Sequence, residues 1–437
     1  MKSNEQIALT VKNTLTAKQI GRSATQLFLY CFLAYACSYI GRKNFSACLP
    51  AMMEEGFLTK AFGGYVTTAY MLVYGVGQII SGLLAARVKP RYMIAIGLLG
   101  AGVCNLCMGV SPVPALMILL WACNGFFHSM LWSPIIRTFT DLLPKERRSA
   151  AGTNIAASCS VGAILAFLIP GILLRFTGWR VVFFVSGGIL LTCFTVWVVG
   201  NRFLGRYIRV MEAACAAERQ TAPNDQTATD PHTQKKVTFS PTAVFIASGL
   251  WVALFGLVCN GALRDAVETW APSFLSETFG LDSSLSALLS VVIPIVSITG
   301  TYAANYLHEK AFKNELVTSS VMFGVAFLCV VGLFLCREVS AVLCALFMAV
   351  SVAAMWGANH MFLTVIPYRF APMGLSATVT GILNSVIYFA TALCSGLYGI
   401  LAESLGWDGL ILLWLGIGAA GVVSCLAGAV VWGRKQK

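Results

Sequence analysis

Twelve apolar runs, each long enough to cross a bilayer, constrain this chain more than any other feature of it. A window of about 20 residues finds them at roughly 26–50, 63–86, 92–110, 114–138, 151–174 and 180–200, then at 243–275, 284–306, 315–335, 339–366, 374–400 and 409–433. Inside a bilayer the backbone must satisfy its own hydrogen bonds, and runs of this length do so as helices. With 58% hydrophobic and 11% charged residues in 437, the composition excludes an ordinary soluble domain. The expected fold is an all-α membrane protein of twelve transmembrane helices in two six-helix bundles.

The polar stretches divide the chain into a basic N-terminus over 1–24, a first bundle over 25–200, a linker over 201–242, a second bundle over 243–433 and a tail over 434–437. The N-terminus lacks the short apolar core of a cleavable signal, so the first run is expected to insert as its own anchor. The linker carries Arg202, Arg206, Arg209, Arg219, Lys235 and Lys236 among Thr, Gln, Asp and Pro, a mixture read as unable to bury a core. The net charge of +12 arises from clusters between the spans, not from one basic and aromatic face, so the positive-inside rule accounts for it better than nucleic acid does. Arg87, Lys89, Arg91, Lys145, Arg147, Arg148, Lys310, Lys313, Arg369, Arg434, Lys435 and Lys437 fall on one side. That places both termini on the cytoplasmic side of a plasma membrane, and the protein is expected to act as a monomer.

Charges inside the spans are the candidate site, because an unpaired charge at such depth is costly. Arg42, Lys43 and Asn44 lie within the first run. Arg42 needs either a fixed carboxylate or an anion that arrives and leaves; the alternative is snorkelling or a structural pair. Arg264 follows Arg42 by 264 − 42 = 222 residues, Trp356 follows Trp132 by 224, and Ser376 follows Ser149 by 227. These offsets suggest an internal repeat with Arg42 and Arg264 at matching depths.

Glu268 lies four residues after Arg264, on the same helical face. It is expected either to hold Arg264 until a substrate anion takes over, with a role in proton coupling or gating, or to form a permanent structural pair with it. Asp265 points elsewhere and receives no task. His128 and His360, and the neutral donors Tyr39, Tyr74, Gln78, Asn154, Asn384 and Tyr388, are candidates to line a central midplane cavity between the two halves or merely to join helices. Trp270 and Pro272 are expected to fix the outer bend of the seventh helix, and Gly75, Gly77 and Gly82 to serve close packing. The 15 cysteines show no metal-ligand spacing, and no nucleotide-binding or hydrolase pattern stands in a workable context. No enzyme, metal or cofactor is expected. The partners are a small-molecule anion, phosphate or a proton as coupling species, and the lipid bilayer.

Arg42-Lys-Asn-Phe45 with Pro50, Gly82 to Arg87 with Arg91, Asn124-Gly125 with Trp132, Pro134, Arg137 and Thr138, Lys145-Glu-Arg147, Gly178-Trp-Arg180, and Arg264 with Trp270 and Pro272 together resemble the organophosphate:phosphate antiporters of the major facilitator superfamily. The resemblance implies a two-bundle transporter that alternates between inward-open and outward-open states. It also implies that Arg42 and Arg264 grip a substrate phosphate, for which paired guanidinium forks are suited. In this chain the family's second-helix lysine falls at Gln78, its fifth-helix histidine at Cys159 and its seventh-helix aspartate at Thr269, with Glu268 at a usually apolar place and Ala86 at the superfamily's loop aspartate. The pocket is therefore less positive, and a carboxylate substrate, proton coupling or a sugar-phosphate sensor stand as alternatives.

Overall fold

The computed structural model describes residues 15–85, 88–221, 250–369 and 376–434. The expectations for Ala86, Arg87, Lys235, Lys236, Lys435 and Lys437, for residues 1–14 and for residues 222–242 of the linker fall outside them. Every regular element among the described residues is helical, and eleven helices are long and apolar enough to cross a membrane.

The first part comprises α1 (Ala17–Glu54), α2 (Lys60–Ala85), α3 (Pro90–Val110), α4 (Pro114–Ser129), α5 (Trp132–Leu142), α6 (Lys145–Asn154), α7 (Ala156–Leu174), α8 (Trp179–Phe203) and α9 (Gly205–Thr221). The second comprises α10 (Leu250–Phe279), α11 (Ser283–Ser290), α12 (Val292–Leu307), α13 (Glu315–Cys336), α14 (Ala341–His360), α15 (Ile366–Tyr368), α16 (Ser376–Ser404) and α17 (Gly406–Arg434). Five-residue π-helical segments follow α12 (His308–Phe312) and α14 (Met361–Val365). The thirty-residue α10 has membrane-crossing length but carries Arg264, Asp265 and Glu268.

Local chemistry sets several boundaries. Thr16 and Gln19 close a reciprocal capping box at the start of α1, so this helix begins before the run read from hydropathy. Pro90 and Pro114 open α3 and α4, where a missing N–H costs nothing. Asp282, Asn314 and Ser340 cap α11, α13 and α14 with their side chains.

The linker reading needs correction at its start. Leu204, Tyr207, Ile208 and Met211 recur at helical spacing and are buried; Tyr207 donates its hydroxyl hydrogen to the Leu142 carbonyl at 2.6 Å. The stretch from 205 to 221 is thus a docked helix, because its arginines share it with an apolar stripe that overall composition conceals.

Within the first part α1 packs on α7 and α8, α3 on α8 and α4, and α2 on α4; within the second α12 and α13 pack on α14, and α10 on α14, α16 and α17. The two parts meet through α2 with α16, α7 with α11, and α1 with α10. The contact of α2 with α16 is antiparallel and narrows over small residues. A Cβ on Gly64 would strike the Ser395 carbonyl, one on Gly399 the Lys60 carbonyl, and one on Gly75 would press Tyr388. Continuing that register brings Gly82 opposite Gly381, yet a Cβ on either would meet nothing within 4 Å. The far face, carrying the turns at 55–59 and 280–282, is closed across the two parts by the contacts of Lys60 with Glu277, Ala61 with Glu403 and Glu54 with Ser276.

Candidate functional site

Where α1 and α10 cross, each contributes an arginine. The Arg42 guanidinium lies 4.6 Å from the ring centre of Tyr74, 5.5 Å from Tyr39 and 5.8 Å from Tyr70. Arg264 lies 4.5 Å over Trp356. The Nε of each is buried without a hydrogen-bond partner, and among the described residues neither guanidinium stands within salt-bridge distance of a carboxylate. Aromatic faces attract a cation without consuming its in-plane donors. The forks are held, and their N–H groups remain available.

Tyr388 joins the two. Its ring packs edge-on against Tyr74 at 5.0 Å, and it lies within electrostatic reach of both Arg42 and Arg264. Tyr39 is buried against Tyr35 at 5.6 Å. The structure therefore gathers Arg42, Arg264, Tyr39, Tyr74 and Tyr388 and adds Tyr70 and Trp356. In the sequence Trp356 stands out only as one member of a repeat.

Lys43 and Glu268 take other places than expected. The Lys43 ammonium stands 3.2 Å from Glu268 and 3.9 Å from Asp265, with all three side chains 8% exposed. Glu268 thus pairs across the two parts with Lys43 and not within its own helix with Arg264. The i, i+4 rule recognises only the local neighbour, whereas α1 brings a compact ammonium closer. Asp265, left without a task, shares this ion cluster, and its Oδ2 is buried with no partner. Beside it, Ser46 donates to the backbone carbonyl of Thr269.

His128 is fully engaged: its Nδ1 lies 2.9 Å from the Asn124 carbonyl and its Nε2 2.9 Å from the Ser38 carbonyl. In this arrangement it ties α4 to α1 and turns no ring nitrogen toward a ligand. Gln78 is half-buried on α2, while Asn154 is exposed at the end of α6, where the chain breaks before α7. Among the described residues, neither has a hydrogen bond to Arg42 or Arg264. Asn384 and His360 are half-buried. Trp270 is buried in α10, where its ring meets Trp407 at 6.3 Å, and Pro272 lies inside the same helix.

A triad of amides sets the depth of Arg42. Asn44 donates to Asn105 Oδ1 at 2.8 Å, while Asn105 and Asn124 donate to the Gly41 carbonyl at 3.1 and 3.0 Å. All three are fully buried. A Cβ at Gly41 would collide with Leu190 and Asn105, so glycine is what lets α1 approach α3 and α8 here. Three asparagines in three apolar runs were the available signal, since buried amides in lipid need one another.

The sequence profile of the Major Facilitator Superfamily matches residues 31–395. A probable hexose phosphate transport protein of Chlamydia trachomatis is 24% identical over 97% of this chain and 94% of its own length. A glycerol-3-phosphate transporter of Bacillus subtilis is 24% identical over 89% of this chain and 88% of its own. The membrane sensor protein UhpC of Escherichia coli is 24% identical over 70% of this chain and 69% of its own. These relatives bear out the resemblance to organophosphate antiporters read from the motifs. Among solved structures, the nucleoside transporter NupG superposes with a TM-score of 0.67 at 16% identity, covering 93% of this chain and 98% of that one. A bacterial homologue of the human lysosomal transporter Spinster, inward-facing and occupied, gives 0.66 at 16% identity over 94% and 96%. These relatives and structures are membrane transporters and a membrane sensor.

Proposed function

The chain belongs to the major facilitator superfamily, and from that premise we propose that it is a secondary active transporter of a small phosphorylated metabolite, of the sugar-phosphate or glycerol-phosphate class, taken in exchange for phosphate. One observation carries this reading. Arg42 and Arg264, from α1 and α10, lie on aromatic faces with buried, unpartnered Nε groups. Buried donors call for an acceptor, and a phosphate supplies oxygens in the geometry a guanidinium fork fits. The names of the relatives point to the same ligand class.

The mechanism follows from the two parts. In this reading α10 is a twelfth crossing, residues 25–200 and 243–433 form two six-helix bundles, and the described arrangement is open toward a cytoplasmic face that carries both termini. A phosphate entering from that open side neutralises both guanidiniums and draws the bundles together at that end. The Lys43 cluster and the far face then separate, and the ligand leaves on the other side. Glu268 gates this step through Lys43. Tyr39 and Tyr388 orient the ligand, whereas Gln78 and Asn154 line the approach to it.

A second reading has its own support: two carboxylates share the single ammonium of Lys43, an imbalance that suits a proton as coupling ion. Proteoliposomes loaded with phosphate and offered labelled glucose 6-phosphate or glycerol 3-phosphate test the function. Uptake is expected in the parent and absent in Arg42→Ala and Arg264→Ala. Undiminished uptake in both variants refutes the paired-arginine site. Binding without any flux would make the protein a sensor, and uptake that follows an imposed proton gradient in phosphate-free vesicles would replace exchange by proton coupling.

A further inference from the structure

The far face is held shut by a compact cluster that draws on both parts. Lys60, the first residue of α2, places its ammonium 2.6 Å from Glu277 Oε2 near the end of α10 and 5.3 Å from the ring centre of Trp407. The indole Nε1 of Trp407 donates to the same Glu277 oxygen at 2.9 Å. Trp407 is fixed in turn by edge contacts with Phe274 at 5.4 Å and Trp270 at 6.3 Å. It follows Gly406, whose φ of 68° is a turn conformation open to glycine.

A second bond crosses beside the first. The backbone N–H of Ala61, one of the N-terminal donors of α2 that lack an intrahelical acceptor, donates to Glu403 Oε2 at 2.9 Å. The first turn of a helix in one part is therefore capped by a carboxylate from the other. Opening the far face would strip α2 of this cap, separate Lys60 from Glu277 and uncover one side of Trp407 in a single movement.

We propose that Lys60, Glu277, Trp407 and Glu403 form a latch that sets the balance between the two states of this transporter by holding the far face closed until the ligand draws the opposite ends of the bundles together; the proposal rests on the alternating-access reading above. Lys60 is its pivot, since it pairs with Glu277, lies against Trp407 and begins the helix that Glu403 caps. The pair is 21% and 32% exposed at the side chains, so its strength is partly screened. A modest latch suits a transporter, because a ligand shifts an equilibrium only by its difference in affinity for the two states.

The test uses the full chain in lipid nanodiscs. Nitroxides are attached through a ketone-bearing amino acid at Phe176 and at Val339, which leaves the 15 native cysteines alone. These positions are 77% and 72% exposed, in turns of the first and second part. Pulsed electron spin resonance then reads the distance across the far face. Lys60→Gln and Glu277→Gln are each expected to raise the long-distance population roughly fivefold, the factor equivalent to about 1 kcal/mol. Lys60→Arg, which keeps both the pair and the ring contact, is expected to leave it unchanged. A distribution in Lys60→Gln that superimposes on the parent overturns the latch, as does Lys60→Arg opening the face as far as Lys60→Gln. Failure of the substrate reading looks different: no sugar-phosphate flux in the parent, with the distances still shifted by Lys60→Gln.

Discussion

Replacing Lys43 by methionine tests the charge arithmetic of the site most directly. Its ammonium stands 3.2 Å from Glu268 and 3.9 Å from Asp265, and the three side chains are 8% exposed. At an effective dielectric of about 20, unit charges at those separations attract by about 5 and about 4 kcal/mol, much of which offsets their desolvation. Removing the ammonium leaves two buried carboxylates facing each other. Breaking a buried pair costs about 3–5 kcal/mol when one charge is stranded, so Lys43→Met is expected at or above about 4 kcal/mol.

Glu268→Gln behaves differently. It leaves Lys43 and Asp265 as a one-to-one pair and keeps a hydrogen-bonding side chain in place, so the expected cost is about 1 kcal/mol. Reversible unfolding by dodecyl sulfate in mixed micelles, followed by circular dichroism, ranks the two variants. If Glu268→Gln costs as much as Lys43→Met or more, the carboxylates are balanced by a further cation. Arg264 is the nearest candidate on the same helix. Its charge would then belong to the fold and not to a ligand, and the paired-arginine reading would lose its main support.

Three other outcomes follow from single contacts. Gly300→Ala drives a methyl group into the Ala353 carbonyl and is expected to cost at least about 3 kcal/mol by the same unfolding assay, while Gly82→Ala, in open space, gains up to about 1 kcal/mol of helix propensity. Asn105→Leu removes the acceptor of Asn44 and a donor to Gly41 and is expected to cost about 1–3 kcal/mol; an unfolding midpoint equal to the parent's would show that the amide triad contributes nothing. Arg264→Lys retains the charge but loses the fork and the flat contact with Trp356, so the concentration of inorganic phosphate needed to raise the thermal midpoint is expected to increase at least about tenfold.

The crossing helices were legible because lipid leaves the backbone few options, and length with apolarity suffices to find them. Their interruptions were not. The breaks at Leu131, Ile155 and Val291 fall inside continuous apolar runs, where hydropathy has no contrast to read. Helix α9 was missed for the opposite reason, since its stripe of Tyr207, Ile208 and Met211 is diluted by arginine. The site was legible in its components and not in its pairing. Arg42, Arg264, Lys43 and Glu268 each declare themselves as charges in apolar runs, but which carboxylate meets which cation depends on how α1 crosses α10, and spacing along one helix carries nothing about the neighbouring one. Trp356 and the asparagine triad were hidden in the same way.

The contact of α1 with α10 ties the repeat to the mechanism. Pro50 and Pro272 each lie inside their helix, at the same separation of 222 residues as Arg42 and Arg264. Two residue pairs at that separation touch each other: Lys43 with Asp265 at 3.9 Å, and Glu54 with Ser276 at 3.1 Å. Equivalent residues of two repeats meet only near the axis that relates them, so α1 and α10 face each other along it. Identical residues there would set like against like, two ammoniums or two carboxylates in a dry interface. In this sequence one pair carries opposite signs and the other an acceptor and a donor. The arginines, one residue before Lys43 and Asp265, are turned about 100° away from that seam, so their like charges are set not against each other but on the aromatic faces of Tyr74 and Trp356, with each Nε buried and unpartnered.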